Sequence, residues 1–188
     1  SYRKDWCAEA GIETGENWTS GDFLAMTKRL ADPTKKRYGN SYRASRGAFD
    51  PLLVYLQTFI GGRTYDEEGN CLINSPECVE AFKKWTSVYL EGAVPKDSIN
   101  WGFIEMVDNF TGGLTGTLIN DSEVVPSCLA TMKQEQWGVL PMPVSTVDGK
   151  RLNTIHSPYA YSVSGTSKNP HAAVRPIQFP TRPDTTTA

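Results

Sequence analysis

Three side chains in the second half of the chain have the chemistry for acid–base catalysis. Asp121 and Glu123 are two neighbouring carboxylates, and glycoside hydrolysis needs two acids that flank the scissile bond, one of them with a raised pKa. Carboxylates this close in sequence are also typical of a helix start, where they cap free amide groups. The third side chain, His156, could act as a general base.

Other catalytic patterns do not occur in the sequence. There is no nucleophile elbow, no spacing typical of metal ligands and no glycine loop that could cradle a phosphate. Asp148-Gly149 is typical of an ordinary hairpin turn. These observations favour a binding protein over an enzyme, and we expect neither a cofactor nor a metal.

Charge and hydropathy narrow the classes of partner. The chain has 19 Lys and Arg against 21 Asp and Glu, a net charge of −2, and no basic block that could neutralise a phosphate backbone. Its apolar stretches, such as residues 51–60, are far shorter than the ~20 residues of a membrane-spanning helix. We expect no nucleic-acid partner and no membrane insertion of this segment. The charged first residues are typical of the middle of a longer protein rather than of a signal peptide.

The four cysteines do not form a C-x-x-C pair, so a zinc site is not expected. Cys71 and Cys78 could form a disulfide if a turn brings them together. Alternatively, the cysteines are small buried hydrophobic residues at separate places. We expect Cys7 and Cys128 to be unpaired.

The elements that must position these residues alternate between helix and strand. Thr19 and Asp22 predict a capped helix start, and prolines after Asp50 and Ser75 begin two more helices. The alternation predicts an α/β domain in which helices are layered around a mixed or parallel sheet. Further helices are predicted at 100–111 and 121–132, and strands at 36–42, 71–73, 114–120, 137–141 and 159–164.

The sequence also predicts how two of the helices pack and where regular structure ends. The helices at 51–60 and 76–91 are expected to pack through Leu52, Leu56, Phe82 and Trp85, and the buried stripe of the second helix is predicted to be Val79, Phe82, Trp85, Thr86 and Tyr89. Closely spaced prolines at 176, 180 and 183 predict an irregular tail over 174–188 instead of a helix.

Seven short segments follow one another in an order that is found in one known family. They are Tyr2-Arg3-Lys4-Asp5 with Ala8 to Ile12, Asn17-Trp18-Thr19, Gly61-Gly62 with Tyr65-Asp66, Ile73 to Glu77, Phe110 to Gly113 with Thr117 to Asn120, Trp137 to Pro143, and Ser167 to Ala173. Together they resemble the bacterial extracellular solute-binding proteins of ABC sugar transporters, a family that includes maltose-binding protein. The resemblance covers residues 2 to 173 and corresponds mainly to the C-terminal lobe of such a receptor.

The resemblance implies a fold, a ligand and partners. Residues 1–165 are expected to form an α/β lobe like those of periplasmic binding proteins, and residues 166–188 to start a return segment toward the missing lobe, ending in an irregular tail. The implied ligand is a sugar or oligosaccharide, the implied partners are the permease subunits of an ABC importer, and the implied location is periplasmic or extracellular. Two alternatives stay open, a fragment of a glycoside-active enzyme and a structural domain that binds nothing by itself.

The resemblance also implies a ligand cleft, in which aromatic faces stack on sugar rings and polar groups bind the hydroxyls. The segments that match the cleft-facing loops lie at strand ends, where open α/β sheets place ligands. Alternatives remain for three residues: Arg46 as a surface charge, Phe49 as core, and Trp101 as either a sugar platform or a buried anchor. The implied ligand-binding residues are Arg46, Phe49, Trp101, Asp121, Glu123, His156 and Tyr159, and we expect them on one concave, solvent-open face.

Overall fold

The computed structural model describes residues 1–152 and 160–179 of the 188-residue chain. The chain divides into two units, Ser1–Thr154 and Ile155–Ala188. In the first unit the strands are β1 (Tyr2–Arg3), β2 (Tyr38–Asn40), β3 (Thr115–Thr117) and β4 (Trp137–Gly138). Its helices are α1 (Lys4–Glu9), α2 (Ser20–Leu30), α3 (Phe49–Gln57), α4 (Pro76–Leu90), α5 (Phe103–Thr111) and α6 (Val124–Thr131), and the second unit contains α7 (Pro170–Gln178).

The four strands form one mixed sheet in the order β2-β3-β1-β4. β2 and β3 are parallel, whereas β1 runs antiparallel to both β3 and β4. β2, β3 and β4 therefore run in one direction, and they end together at Asn40, Thr117 and Gly138. We call this side of the sheet the carboxyl edge. The predicted mixed α/β architecture is confirmed, although β2, β3 and β4 are each shorter than the predicted range and β1 was not predicted.

Helix α2 begins as the sequence predicts. Thr19 and Asp22 form a reciprocal capping box, and Phe23, Met26 and Leu30 are buried on one face of the helix. Strand β2 crosses this helix at very close range, because a Cβ atom at Gly39 would lie 1.6 Å from the carbonyl oxygen of Thr27. Only glycine fits at position 39, and this contact fixes the height of β2 above the helix.

The larger core is built around Trp85 of α4. Its indole ring lies 4.8 Å from the ring of Tyr55, 5.4 Å from that of Tyr42 and 6.2 Å from that of Phe23, measured between centroids. Leu56 is also buried in this core, as predicted, and Leu52 packs against it. We refer to these four rings as the ring cluster.

The predicted buried stripe of α4 is wrong at Val79 and Phe82, whereas Trp85 is buried and Thr86 and Tyr89 are partly buried. The buried residues are Cys78, Ala81, Trp85 and Val88, while Phe82 is 46% exposed and Val79 is 45% exposed. The small side chains explain the difference, because Cys78 and Ala81 let α4 approach α3 closely enough for the Cys78 thiol to lie 3.8 Å from the carbonyl oxygen of Leu56.

A second, smaller core lies between α5, α6 and the sheet. Met106 and Phe110 of α5 pack with Val124 and Cys128 of α6. Leu118, which directly follows β3, and Trp137, the first residue of β4, also belong to this core. The segment that follows β3 is therefore anchored on its apolar side by Leu118.

Several local predictions need correction. The predicted strand at 71–73 is a 3-10 turn over Leu72–Asn74, preceded by an isolated bridge between Tyr65 and Cys71. Residues 160–164, the described part of the last predicted strand, are not in a strand. Helix α7 continues through Pro176 to Gln178, so the prediction of an irregular segment is wrong for residues 174–178, although an interior proline lacks a helical hydrogen bond and crowds the preceding turn.

All four cysteines are free thiols, with Cys7, Cys78 and Cys128 buried and Cys71 exposed. The expectation that Cys7 and Cys128 are unpaired is confirmed. The prediction of small buried residues holds for three of the four and is wrong for Cys71. Within the described residues, every helix is too short or too polar to cross a membrane.

Candidate functional site

Two loops leave the sheet side by side at the carboxyl edge. Residues 41–48, the first edge loop, connect β2 to α3, and residues 118–123, the second edge loop, connect β3 to α6. The backbone N–H of Ser41 donates to the carbonyl oxygen of Thr117 at 2.7 Å, so the two loops start as neighbours. Open α/β sheets place their ligands at this position, outside the carboxyl ends of parallel strands.

The first edge loop ends in a tight turn. The N–H of Ala48 donates to the carbonyl oxygen of Ser45 at 2.9 Å, and Gly47 has a φ of 80°. A positive φ at the third residue is that of a type II turn, and glycine is the residue that adopts it without strain. Arg46 is at the corner of the turn and is exposed, and Phe49 follows at the start of α3 with 55% of its surface exposed. The alternative that Phe49 belongs to the core is wrong.

Trp101 has a different position from the one that a sugar platform requires. Its side chain is only 5% exposed, and its indole N–H donates to a carboxylate oxygen of Asp97 at 3.2 Å. The backbone carbonyl of Trp101 accepts a hydrogen bond from the N–H of Ser45 at 3.0 Å. Of the two alternatives for Trp101, the structure therefore supports the buried anchor, which holds the first edge loop through the backbone.

The second edge loop carries the two carboxylates. The N–H of Glu123 donates to Oδ1 of Asp121 at 3.0 Å, and both side chains are exposed. Asp121 thus serves as a local cap just before α6, while its second oxygen makes no hydrogen bond to the described residues. A carboxylate in this state can cap the loop and still accept a hydrogen bond from a ligand hydroxyl.

A pocket of about 220 Å³ lies beside the second edge loop. Its polar lining residues are Ser1, Thr117, Asn120, Asp121 and Ser122, and most of the remaining lining is apolar or aromatic. The side-chain nitrogen of Asn120 is buried and has no hydrogen-bond partner among the described residues. Because an unpaired buried donor is costly, this amide is a ready partner for an acceptor oxygen of a ligand. The rest of the lining includes Tyr2, Trp18, Phe23, Met26, Leu118, Ile119, Val125, Val139, Leu140 and Met142.

The indole of Trp18 is fixed in this pocket, because its N–H donates to the carbonyl oxygen of Pro141 at 2.7 Å. A larger, open groove of about 550 Å³ lies next to it, between residues 12–18 and α2. Its polar lining comes mostly from exposed side chains such as Glu13 and Glu16. We locate the candidate site at the carboxyl edge, because the strand ends and the unpaired Asn120 amide occur there.

The structure brings only some of the predicted residues together. Asp121 lines the pocket and Glu123 is two residues away in the same loop, whereas Arg46 belongs to the neighbouring first edge loop and Phe49 is the first residue of α3. His156 and Tyr159 lie outside the described residues. Convergence of the predicted set on one concave face stays a prediction. No group of three or more His, Cys, Asp or Glu side chains that could hold a metal occurs among residues 1–152 and 160–179.

Sequence reasoning missed Asn120, Trp18 and Phe23. The signal for Asn120 is its position directly after an apolar strand, one residue before the predicted Asp121. Trp18 and Phe23 gave no such signal, since their side chains reach the pocket only because the α2 region packs next to residues 139–142.

Comparison with known proteins adds to this geometry. The family model described as "Bacterial extracellular solute-binding protein" matches residues 2–187. The ABC transporter periplasmic-binding protein YcjN of Escherichia coli K12 is 23% identical over 133 residues, which are 68% of this chain and 29% of that protein. The match to the curated protein thus covers less than a third of its length.

Solved structures match nearly the whole chain. An ABC transporter solute-binding protein from Agrobacterium vitis S4 with bound D-mannitol has a TM-score of 0.72 at 21% identity, covering 97% of this chain and 44% of the other. One from Thermotoga lettingae with bound alpha-D-tagatose has a TM-score of 0.74 at 16% identity, covering 98% and 47%. The maltose-bound protein MalE3 of T. maritima has a TM-score of 0.71 at 23% identity, covering 98% and 48%. These values confirm the fold, and the chain spans less than half of each solved protein.

Proposed function

The chain belongs to the bacterial extracellular solute-binding protein family, and from that premise we propose that it is part of the carbohydrate-binding component of an ABC importer. In this proposal the chain forms one wall of a ligand cleft, and the carboxyl edge is the part of that wall that contacts the sugar. The location is periplasmic or extracellular, and the protein partners are the permease subunits of the importer.

The carboxyl edge supports the proposal most directly. Two adjacent loops present exposed polar side chains, the half-exposed ring of Phe49 begins the helix after the first loop, and the Asn120 amide of the second loop has no partner among the described residues. Sugars need this combination, because their hydroxyls take paired donors and acceptors while their C–H faces pack on aromatic rings. The ligands of the structural neighbours, D-mannitol, alpha-D-tagatose and maltose, are all rich in hydroxyl groups.

Each residue has a separate role in the proposed site. Phe49 provides a ring face for the sugar, and Arg46 donates hydrogen bonds to hydroxyl oxygens. Asp121 and Glu123 accept hydrogen bonds from sugar hydroxyls, and the amide of Asn120 donates one. His156 and Tyr159 are also proposed to contact the sugar.

A receptor with two lobes explains why the chain spans less than half of its relatives. We propose that the complete protein closes on the sugar by a hinge motion and that the permease subunits recognise the closed form. One lobe retains only part of the contacts while the ordering costs of binding remain. The chain alone is therefore expected to bind sugars weakly, with dissociation constants in the millimolar range.

An enzyme that acts on glycosides is the competing function. Its carboxylate pair would be Asp121 and Glu123, but both belong to one exposed turn rather than to two sides of a cleft. A structural domain without a ligand is the third class. The three classes differ in two measurable properties, sugar binding and glycoside turnover.

A titration with product analysis separates the three classes. The chain is titrated with D-mannitol, D-tagatose and maltose by NMR, and maltose is recovered and analysed for glucose. Saturable binding with shifts of the Asn120 and Asp121 amides, without glucose release, is the expected result. Glucose release that Glu123→Gln abolishes would establish the enzyme, and the absence of binding to every probe would leave a structural domain.

A further inference from the structure

We propose that Arg43 is a positioning residue for ligand binding, which locks the first edge loop in one conformation and ties it to the start of α5. The inference rests on the proposed function, since the loop conformation matters for recognition only if the loop contacts a ligand. Arg43 is half-buried and was not among the residues that the sequence singled out.

The hydrogen bond of Arg43 acts on the peptide group that defines the turn. Its Nε donates to the backbone carbonyl oxygen of Arg46 at 2.8 Å. The turn's own hydrogen bond uses the carbonyl of Ser45, and no backbone N–H of residues 1–152 or 160–179 donates to the carbonyl of Arg46. Type I and type II turns differ by a flip of this central peptide. The bond from Arg43 therefore selects the type II form that Gly47 adopts.

Gly47 is fitted to the guanidinium group as well as to the turn. A Cβ atom at Gly47 would lie 1.9 Å from Nη2 of Arg43 and 2.3 Å from its Cζ. The guanidinium plane thus packs against the bare Cα of Gly47, and any side chain there would displace it. The positive φ and the close approach are two independent reasons for glycine at this position.

Two contacts attach the loop to the segment that precedes and begins α5. Cζ of Arg43 lies 6.0 Å from the ring centroid of Phe103, at the outer limit of a cation–π contact. The backbone N–H of Ser45 donates to the carbonyl oxygen of Trp101, which lies two residues before Phe103. Within the described residues Arg43 makes no ion pair, so the groups that hold its charge are a backbone carbonyl and an aromatic ring.

Loss of Arg43 should therefore change recognition more than stability. Without the bond to its carbonyl, the Arg46 peptide can flip, and the directions of the Arg46 and Phe49 side chains are no longer fixed. Both side chains are exposed, so their disorder costs little folding free energy. It weakens ligand binding, because the loop must then be ordered by the ligand.

The test compares three variants with a matched control in the 188-residue chain. Arg43→Ala and Gly47→Ala should each weaken binding of D-mannitol and maltose, measured by NMR titration, by about tenfold, the size expected for one charge-assisted hydrogen bond. Arg43→Lys keeps the charge but lacks Nε, and should not restore affinity. Arg63→Ala, which removes an exposed arginine whose ion pair is with Glu67 at 3.5 Å, should bind like the parent chain. Hydrogen exchange at the Ala48 amide, measured without ligand, should be faster in Arg43→Ala.

Each outcome bears on the inference. If the parent chain binds and Arg43→Ala binds equally well, the positioning role is wrong and the proposed function stands. If the parent chain binds no probe, the proposed function fails and the inference fails with it. If Arg43→Ala does not fold, Arg43→Lys decides, since undiminished affinity in that variant overturns the inference and a tenfold loss supports it.

Discussion

The ring cluster and the edge loops are held in place by different physics. Trp85, Tyr55 and Phe23 are at most 5% exposed and fit by shape, whereas Arg46 and Asp121 are exposed and are positioned by backbone hydrogen bonds of their loops. Connecting loops on a rigid scaffold commonly carry function. The difference teaches that stability and recognition should respond to separate sets of mutations, and each prediction below tests that separation.

The largest effect is expected from Trp85→Ala. Removal of the central ring leaves a cavity bordered by three other rings and should cost about 3–5 kcal/mol of unfolding free energy, measured by urea denaturation. Phe82→Ala is the control on the same helix, and should cost less than about 1 kcal/mol because Phe82 is 46% exposed. Equal costs at the two positions would show that the stripe 78-81-85-88 is not the buried face of α4.

The second largest effect is expected at alkaline pH, where the two tyrosines of the ring cluster should lower the unfolding free energy. Burial raises the pKa of Tyr42 and of Tyr55 well above the ordinary value. The folded state therefore keeps protons that the unfolded state releases above pH ~10, so stability is fully present below pH ~10 and falls as the pH rises further. The limiting slope is about 1.4 kcal/mol per pH unit for each tyrosine, and urea denaturation from neutral to alkaline pH measures it.

Tyr55→Phe is the control for this pH dependence. Above pH ~10, the unfolding free energy of this variant should fall less steeply with pH, by about 1.4 kcal/mol per pH unit, because one titrating tyrosine has been removed. The substitution should not destabilise at neutral pH, because the Tyr55 hydroxyl is buried without a hydrogen-bond partner among the described residues. An unchanged slope would assign the alkaline transition to another group, such as the Cys7 thiol, whose pKa burial raises to about 11.

A smaller effect is expected at the start of α2. Thr19→Ala removes the side-chain oxygen that accepts from the Asp22 N–H, and should cost about 1 kcal/mol in urea denaturation. Thr86→Ala is the matched control, since that hydroxyl bonds only carbonyls of its own helix at 3.0 and 3.1 Å. A loss for Thr86→Ala as large as that for Thr19→Ala would contradict the capping explanation.

The smallest effect on stability, with a clear effect on binding, is expected at the second edge loop. Glu123→Gln should change the unfolding free energy by less than about 0.5 kcal/mol. It should also lower the affinity for sugars, measured by the NMR titration described above. Glu80→Gln on the exposed face of α4 is the control for lost charge and should leave affinity unchanged. If the two variants had the same sugar affinity, Glu123 would not be part of the binding site.

Much of the fold could be predicted because its signals are local. The capping box at Thr19 and the proline that begins α4 act within one helical turn. The start of α3 was predicted wrongly, since this helix begins at Phe49, two residues before Pro51. The stripe of α4 could not be predicted in the same way, since residues 79, 82, 86 and 89 follow the same helical spacing as 78, 81, 85 and 88. Packing against α3 decided between the two faces, in favour of the small side chains of Cys78 and Ala81.

The candidate site could be predicted to the level of its loops. Arg46, Phe49, Asp121 and Glu123 were assigned to segments that follow strands. In the structure Arg46, Asp121 and Glu123 are in the two edge loops, and Phe49 begins α3 directly after the first of them. The exclusion of Trp101 and the importance of Arg43 could not be predicted, because they depend on the approach of residues 101–103 to residues 43–47. Such contacts between distant segments leave no periodic trace in the sequence.

The ring cluster also has an optical consequence. The interplanar angles between Trp85 and its neighbours are fixed at 26°, 38° and 45°, and an asymmetric array of coupled chromophores gives a strong near-ultraviolet circular dichroism signal that is lost when packing loosens. Light absorbed by Tyr42 and Tyr55 should reappear as tryptophan fluorescence, since both phenol rings lie within 5.4 Å of the indole. The chain thus contains its own spectroscopic reporter of an intact interior.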